Sequence, residues 1–344
     1  MILMNPRFLS VFLACAATAT SFSARAEGPV AEAPVAQAPV ALLAPLSSRP
    51  SVAVAGKGHF DFMSGDAAMG RLFAAHPGAK ALTVLDLASG QVRSIDTGQV
   101  NCAVVDEADQ KVFAAGGNQK VVVLDRKTLS KTAEIPLSGP ADAIALDTKR
   151  SRLYIDHDDG AEAWVVNART NVLEGRVVLS GVPEYLLYDA ASDRLFQNIK
   201  DKDEIEVINP ATNTVVAHFP TAPLKSPHGL AINPQTHRLF VAGNGKVAVL
   251  DSRDGHLITS LDITPGYVDQ IAFDPASQRL YCACGAGTVA VVQETATGAT
   301  FLGTVATHNR THTLTVDPRG DVWVAADTPT GDTLLHFTPK PVAR

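Results

Sequence analysis

Residues 228–261 read HGLAINPQTHRLFVAGNGKVAVLDSRDGHLITSL. His228 to Asn233 alternates apolar and small residues, the pattern of a strand. Pro234 to His237 is a turn, Arg238 to Ala242 a second strand, and Gly243-Asn244-Gly245 another turn. Lys246 to Leu250 makes a third strand. Asp251 to Gly255 reads as a hairpin turn, where Asp accepts from nearby amides and Gly takes positive φ. His256 to Leu261 is the fourth strand.

The opening phrase of this segment, a polar residue, an apolar run ending in Asp or Asn, then a Leu/Val-aromatic pair, is written seven times. The copies are Asp61 to Phe73, Asn101 to Phe113, Asp142 to Tyr154, Glu184 to Phe196, His228 to Phe240, Asp269 to Tyr281 and His312 to Trp323. They recur every 40 to 44 residues. That period predicts an all-β, seven-bladed β-propeller with one four-stranded antiparallel blade per copy. A large ring at one position of each copy suits the wedge between neighbouring sheets. The last copy supplies three strands before the chain runs out at residues 340–344, a C-terminal tail. Ser51 to Ala55 alternates like a strand, so it is expected to add the outer strand of blade 7, cover its edge and close the ring. The propeller is then residues 51–339. Deleting 51–58 should destabilise all of it, and deleting 27–46 should not.

The remainder is of two kinds. Residues 1–26 carry Arg7, an apolar or small run from Phe8 to Thr20, and Ala24-Arg25-Ala26 before Glu27. This is the pattern of a cleaved secretory signal, too short in its apolar part to span a bilayer. Leu13-Ala14-Cys15 is a weaker hint of lipidation at Cys15. Residues 27–50 are punctuated by Pro29, Pro34, Pro39, Pro45 and Pro50, the composition of an extended, water-exposed linker. The mature protein is expected in the periplasm or outside the cell, as a monomer with no membrane span. Losing Arg7 and Arg25 with the signal takes the formal charge from −6 to −8. A net acidic chain without a basic run is poorly suited to nucleic acid. Cys102, Cys282 and Cys284 would remain. The last two lie two apart on one strand, where a bridge is strained, so no disulfide is expected.

Several phrases carry a family resemblance: Asp274-Pro275…Arg279-Leu-Tyr281, Arg238-Leu-Phe-Val-Ala-Gly-Asn244 and Lys246-Val-Ala-Val-Leu-Asp251. His59-Phe-Asp-Phe62, Pro140-Ala-Asp-Ala-Ile-Ala145, Lys200-Asp-Lys-Asp-Glu204 and Ser226-Pro-His-Gly229 add to it. Together they resemble the bacterial YVTN-repeat propellers, in particular the YncE-like group, over essentially all of 51–339. The resemblance implies the propeller fold and export. It implies no single activity and brings no catalytic residues. No copy contains a literal Tyr-Val-Thr-Asn, and the WD signature is absent.

Seven innermost strands surround one axis, so their opening residues should ring one mouth of the channel: Asp61, Asn101, Asp142, Glu184, His228, Asp269 and His312. A second tier is expected at the ends of the second strands: His76, Gly116, His157, Lys200, Asn244, Cys284 and Asp327. Carboxylates with imidazoles suit a divalent cation, which is the one cofactor the sequence suggests, and none is required by it. The best quartet is His228, Asp269, His312 and Asp61, from adjacent blades, with Glu184 and Asp142 as an acidic counterpart. The plain alternative is a water-filled channel lined by solvated polar groups. Cys282-Ala-Cys284 reads as strand packing before soft-metal binding. His218, His237, His256 and His336 read as surface residues.

Three functions compete. The first is an exported binding or scaffold module that holds an envelope protein or small ligand on the polar mouth without turnover. The second is a metal-dependent hydrolase or lyase, lactonase-like, with His228, His312 or Glu184 as catalytic candidates. The third is an accessory to envelope metal or redox handling through Cys284 beside the rim. No hydrolase elbow, phosphate loop, haem-attachment or zincin motif is present.

Overall fold

A computed structural model describes residues 45–264 and 266–341. The expected signal segment 1–26, residues 27–44 of the expected linker and residues 342–344 lie outside the described residues. Those described form seven four-stranded antiparallel sheets and one short 3₁₀ turn, Pro77–Ala79. None of their helices is long and apolar enough to cross a membrane.

Each repeat folds as one blade. In blade 4 the strands are Pro183–Asp189, Arg194–Ile199, Glu204–Asn209 and Thr214–Pro220, paired in chain order. The outward gradient follows from the sequence. Second and third strands, such as Arg194–Ile199 and Glu204–Asn209, are buried almost continuously because a neighbouring blade covers each face. Outer strands, such as Thr214–Pro220, alternate between exposed and half-buried. Phe73, Phe113, Tyr154, Phe196, Phe240 and Tyr281 are fully buried. Phe73 packs with Val112, Val122 and Leu124 of blade 2, and Phe240 with Ile271 and Cys282 of blade 6. Trp323 packs with Phe60 and Met63 of blade 1 and so completes the circle.

The ring closes as expected, with a correction at the boundary. The outer strand of blade 7 is Leu46–Ala53, paired with Thr333–Pro339. It begins at Leu46, ahead of Ser51. The Pro-rich composition hid this start. Pro50 sits where the register shifts between Arg49 and Val52, on an edge strand that can lose a donor there.

The Asp or Asn that ends each apolar run is a turn device. Met69 N donates to Asp66 Oδ1 (3.1 Å), Asp109 N to Asp106 (3.1 Å), Arg150 N to Asp147 (3.0 Å) and Arg319 N to Asp317 (2.8 Å). The turn needs a left-handed residue, supplied by Gly70, Gln110, Ser151 and Gly320 in those blades. Some of these acids also clamp neighbours. Arg126 of blade 2 grips Asp66 of blade 1 through two bonds of 2.7 and 2.6 Å, both side chains buried. An acid of another kind, Glu294 on the third strand of blade 6, makes a similar clamp with Arg238 of blade 5 (3.0 Å).

Candidate functional site

The seven strand-opening residues come to one mouth. Asp61 N, Asn101 N and His228 N donate to Ala75, Ala115 and Ala242 of their second strands, at 2.8–2.9 Å. Neighbouring blades are tied directly, Phe62 N to Asn101 O (2.9 Å) and Gln270 N to His312 O (3.1 Å). In blades 3, 4 and 6 the innermost strand slips register between Ala141 and Ile144, Pro183 and Leu186, and Val268 and Ile271. Asp142, Glu184 and Asp269 lie within those three irregularities. A bulge breaks the strict alternation of a strand and can re-aim a side chain.

Around the mouth the side chains pair with neighbours. Asn101 Nδ2 donates to Asp142 Oδ1 (3.2 Å), Lys200 Nζ lies 2.6 Å from Glu184 Oε2, and His312 Nδ1 lies 2.7 Å from Asp269 Oδ2. His228 Nδ1 is 2.7 Å from the Ser226 carbonyl. A carbonyl only accepts, so Nδ1 carries the proton and Nε2 is turned toward Glu184, 3.9 Å away. The Tyr267 ring stands between the two imidazoles, 6.4 Å from His228 and 6.1 Å from His312.

The carboxyls feel one another across the opening. Burial first, then the charges of Asp269 and Glu184, push the Asp61 carboxyl well above its usual range. Asp142 is raised by burial, then by Asp61, Asp156 and Glu184. Glu184 is raised by burial, although His228 and Lys200 pull it back. Asp61 keeps some accessible surface on the channel wall, yet protein surrounds it.

Below the ring the lining turns aromatic. Phe62 of blade 1 and Tyr185 of blade 4 meet across the axis with ring centroids 5.0 Å apart. Gln270 reaches past blade 7 to Met63, donating to its carbonyl (2.7 Å) and accepting from its amide (2.9 Å), and it also accepts from Thr313 Oγ1 (2.5 Å). Burial pushes the Tyr185 hydroxyl up to about 12. The site is therefore a polar cup over an aromatic constriction.

The second tier does not assemble. His76 is fully buried, stacked on Phe60 (4.0 Å) and 3.0 Å from Asp332. His157 packs on Trp164 (4.6 Å), wedged between Gly139 and Gly160, where any Cβ would overlap its ring. Cys284 is buried, with its Sγ 3.4 Å from the Cys282 carbonyl, and burial pushes its thiol up to about 11. Cys284 is thus not exposed at the rim. Asn244 and Asp327 line separate surface clefts. Strand pairing shows the cause. His157, Ile199 and Cys284 face Ala141, Pro183 and Val268 across their strand pairs, so the true counterpart of His157 is Ile199, one residue before Lys200. Of that tier, only Lys200 pairs with a member of the ring.

The quartet proposed for a metal is not drawn into a cage either. Among the described residues the one trio of donor atoms mutually within 4.8 Å is Glu204, Glu206 and His218, on the outer half of blade 4.

Sequence reasoning missed Asp156. It is fully buried, accepts from Ala143 N, and lies 3.4 Å from Gln197 Nε2. Burial first, and then Glu184, raise its carboxyl well above the usual range, against the pull of Ala143 N. Its neighbour in blade 4, Asn198, donates to the His228 carbonyl (2.6 Å) and so braces the ring. A signal was present. The column reads Ala75, Ala115, Asp156, Asn198, Ala242, Ala283, Ala325, and the two polar intruders stand out.

No family model matches the chain, and no curated protein matches it. Solved structures do. A chain in the crystal structure of the mitotic checkpoint complex aligns with a TM-score of 0.73 at 14% identity, over 93% of this chain and 100% of that one. The RRP9 WD40 repeats align with a TM-score of 0.73 at 10% identity, over 86% and 100%. A chain of Kuenenia stuttgartiensis hydrazine synthase aligns with a TM-score of 0.70 at 13% identity, over 84% and 96%. At such identities the likeness is one of fold. Blade geometry alone accounts for it, since this chain lacks the WD signature.

Proposed function

We propose that this propeller is an exported, non-catalytic binding module. Its cup receives the cationic group, an amine or guanidinium, of a small ligand or of a partner's side chain. The observation that carries this reading is the surplus of carboxyls at one mouth. Asp61, Asp142, Glu184 and Asp269 face one lysine and two imidazoles, with Asp156 buried behind them. Protons held by the raised carboxyls are what an incoming cation would displace. The Phe62–Tyr185 constriction gives the cup a floor, so a ligand is held rather than passed through. The N-terminal pattern supports export. The hydrolase reading has less behind it, because His228 and His312 are engaged with Glu184 and Asp269 rather than gathered around a common point.

The test is calorimetric titration of the purified protein with spermidine and with arginine methyl ester, beside the Glu184→Gln/Asp269→Asn double variant. Saturable binding by the wild type, weakened at least ~10-fold in the variant and accompanied by proton release, is expected; each 1.4 kcal/mol is tenfold. Equal affinity in both proteins, or no heat from either probe, overturns the proposal.

A further inference from the structure

The outer half of blade 4 holds a second cluster, away from the cup. Glu204 and Glu206 lie two apart on the third strand, so they share a face, and His218 stands directly opposite Glu206 on the outer strand. His218 Nδ1 is 3.0 Å from Glu204 Oε1 and 3.7 Å from Glu206 Oε1. Ser180, in the segment leading from blade 3 into blade 4, holds both acids. Its amide donates to Glu206 Oε1 (2.9 Å) and its hydroxyl to Glu204 Oε1 (3.0 Å).

Glu206 is what makes this more than a surface ion pair. Its side chain is 1% exposed, and its Oε2 is buried without a hydrogen-bond partner among the described residues. No described Lys or Arg lies within 4.0 Å of either glutamate; the half-exposed His218 is the sole basic group that close. Burying a carboxylate without a full countercharge is costly. The fold does not demand it. The equivalent positions, each opposite the outer strand in the same register, are Thr83, Val122, Trp164, Ala248 and Ala290.

We propose that Glu204, Glu206 and His218 form a divalent transition-metal site. Tetrahedral ligands on zinc at about 2.1 Å are about 3.4 Å apart, close to the separations already present here. One imidazole with two carboxylates selects Zn²⁺, Co²⁺ or Mn²⁺ over Mg²⁺ and Ca²⁺, which favour all-oxygen shells. Ser180 supplies the outer hydrogen bonds that orient both carboxylates. His218 Nδ1 must present a lone pair to the metal, so binding releases any proton held there. The outer flank of Glu204 and His218 leaves room for water or an added ligand.

The decisive experiment strips the full-length purified protein with chelator and titrates it with Co²⁺ and then Zn²⁺ alone, reading Co²⁺ visible absorption and calorimetric heat. One equivalent of Co²⁺, displaced by Zn²⁺, is expected for the wild type. Affinity should fall at least ~10-fold in Glu206→Gln and His218→Ala and stay unchanged in the Asp269→Asn ring variant. His218 is half exposed, so His218→Ala serves should Glu206→Gln fold poorly. The proposal falls if no saturable absorption develops. It falls equally if Asp269→Asn abolishes binding while His218→Ala leaves it intact, which would assign the ion to the cup.

Discussion

In blades 1, 3, 4 and 6 the innermost strand region has an acid at both ends, and blade 1 shows how differently the two can be placed. In blade 1, Asp61 opens the strand region and Asp66 closes it. Burial and two nearby acids push Asp61 up. Burial also acts on Asp66, but the hydrogen bonds and charge of Arg126 outweigh it and hold that carboxyl low. In blade 3 burial and neighbouring acids likewise push Asp142 up, while Asp147 caps its turn and binds Arg150 (2.9 Å). The closing acid belongs to the grammar of the fold, since every blade spends it on a turn. The opening acid has no such use. The opening carboxyls outnumber the bases beside them, Lys200, His228 and His312.

Cutting the closing-end clamp should give the largest effect. Arg126→Met leaves Asp66 as a buried charge between blades 1 and 2, at a cost of about 3–5 kcal/mol. Urea unfolding at neutral pH measures it. A loss below 1 kcal/mol would mean that Asp66 is not held by Arg126 and that the two ends of the strand are alike after all.

The opening end predicts a pH profile of the opposite sense. Asp61, Asp142, Asp156 and Glu184 bind protons more tightly when folded than when unfolded. Their stabilising contribution is therefore complete below the ordinary carboxylate range and is lost as pH rises through their folded values. Each group costs up to about 1.4 kcal/mol per pH unit while folded and unfolded forms differ in protonation. Asp61→Asn/Asp142→Asn should flatten the decline and stabilise the protein at alkaline pH. If the double variant is less stable than the wild type throughout, the surplus of buried charge is not real.

The fold was legible because repetition averages out local ambiguity. Seven aromatics, from Phe73 to Trp323, mark one position, and seven Asp or Asn residues mark one turn. Strand pairing then leaves little freedom. The opening ring was legible for the same reason. The second tier was not, because the loops after the second strands differ in length. Counting forward from Phe196 to Lys200 overshot by one residue, and one residue in a strand reverses the face. Asp156 was overlooked since it hides inside an apolar run, Arg152–His157, where a strand was sought rather than an exception to it. Glu206 escaped likewise inside Glu204–Asn209. His218 reads as a surface residue, and its buried partner is a cross-strand neighbour that linear reading does not show.

The smallest effect should come from the hairpin acids at the periphery, which supply a control for both ends. Asp251 is held down to about 2 by Arg253, whose guanidinium is largely exposed. Its contribution is present above the ordinary carboxylate value and disappears as pH falls toward 2, the reverse of Asp61 and Asp142. Exposure and salt screen the pair, so Asp251→Ala should lose under ~1 kcal/mol near neutrality, mostly through the turn amides it accepts from. Because the sign differs, the wild-type stability curve should fall on both sides of a mildly acidic maximum. The acid limb should respond to Asp66 and Asp251, and the alkaline limb to the ring. Salt should weaken the Asp251 part of the acid limb more than the alkaline limb, since screening acts most on an exposed hairpin and least on carboxyls surrounded by protein. Should the alkaline limb collapse in salt as readily, the ring carboxyls must be solvated, and the distinction between the two ends of the strand would fail.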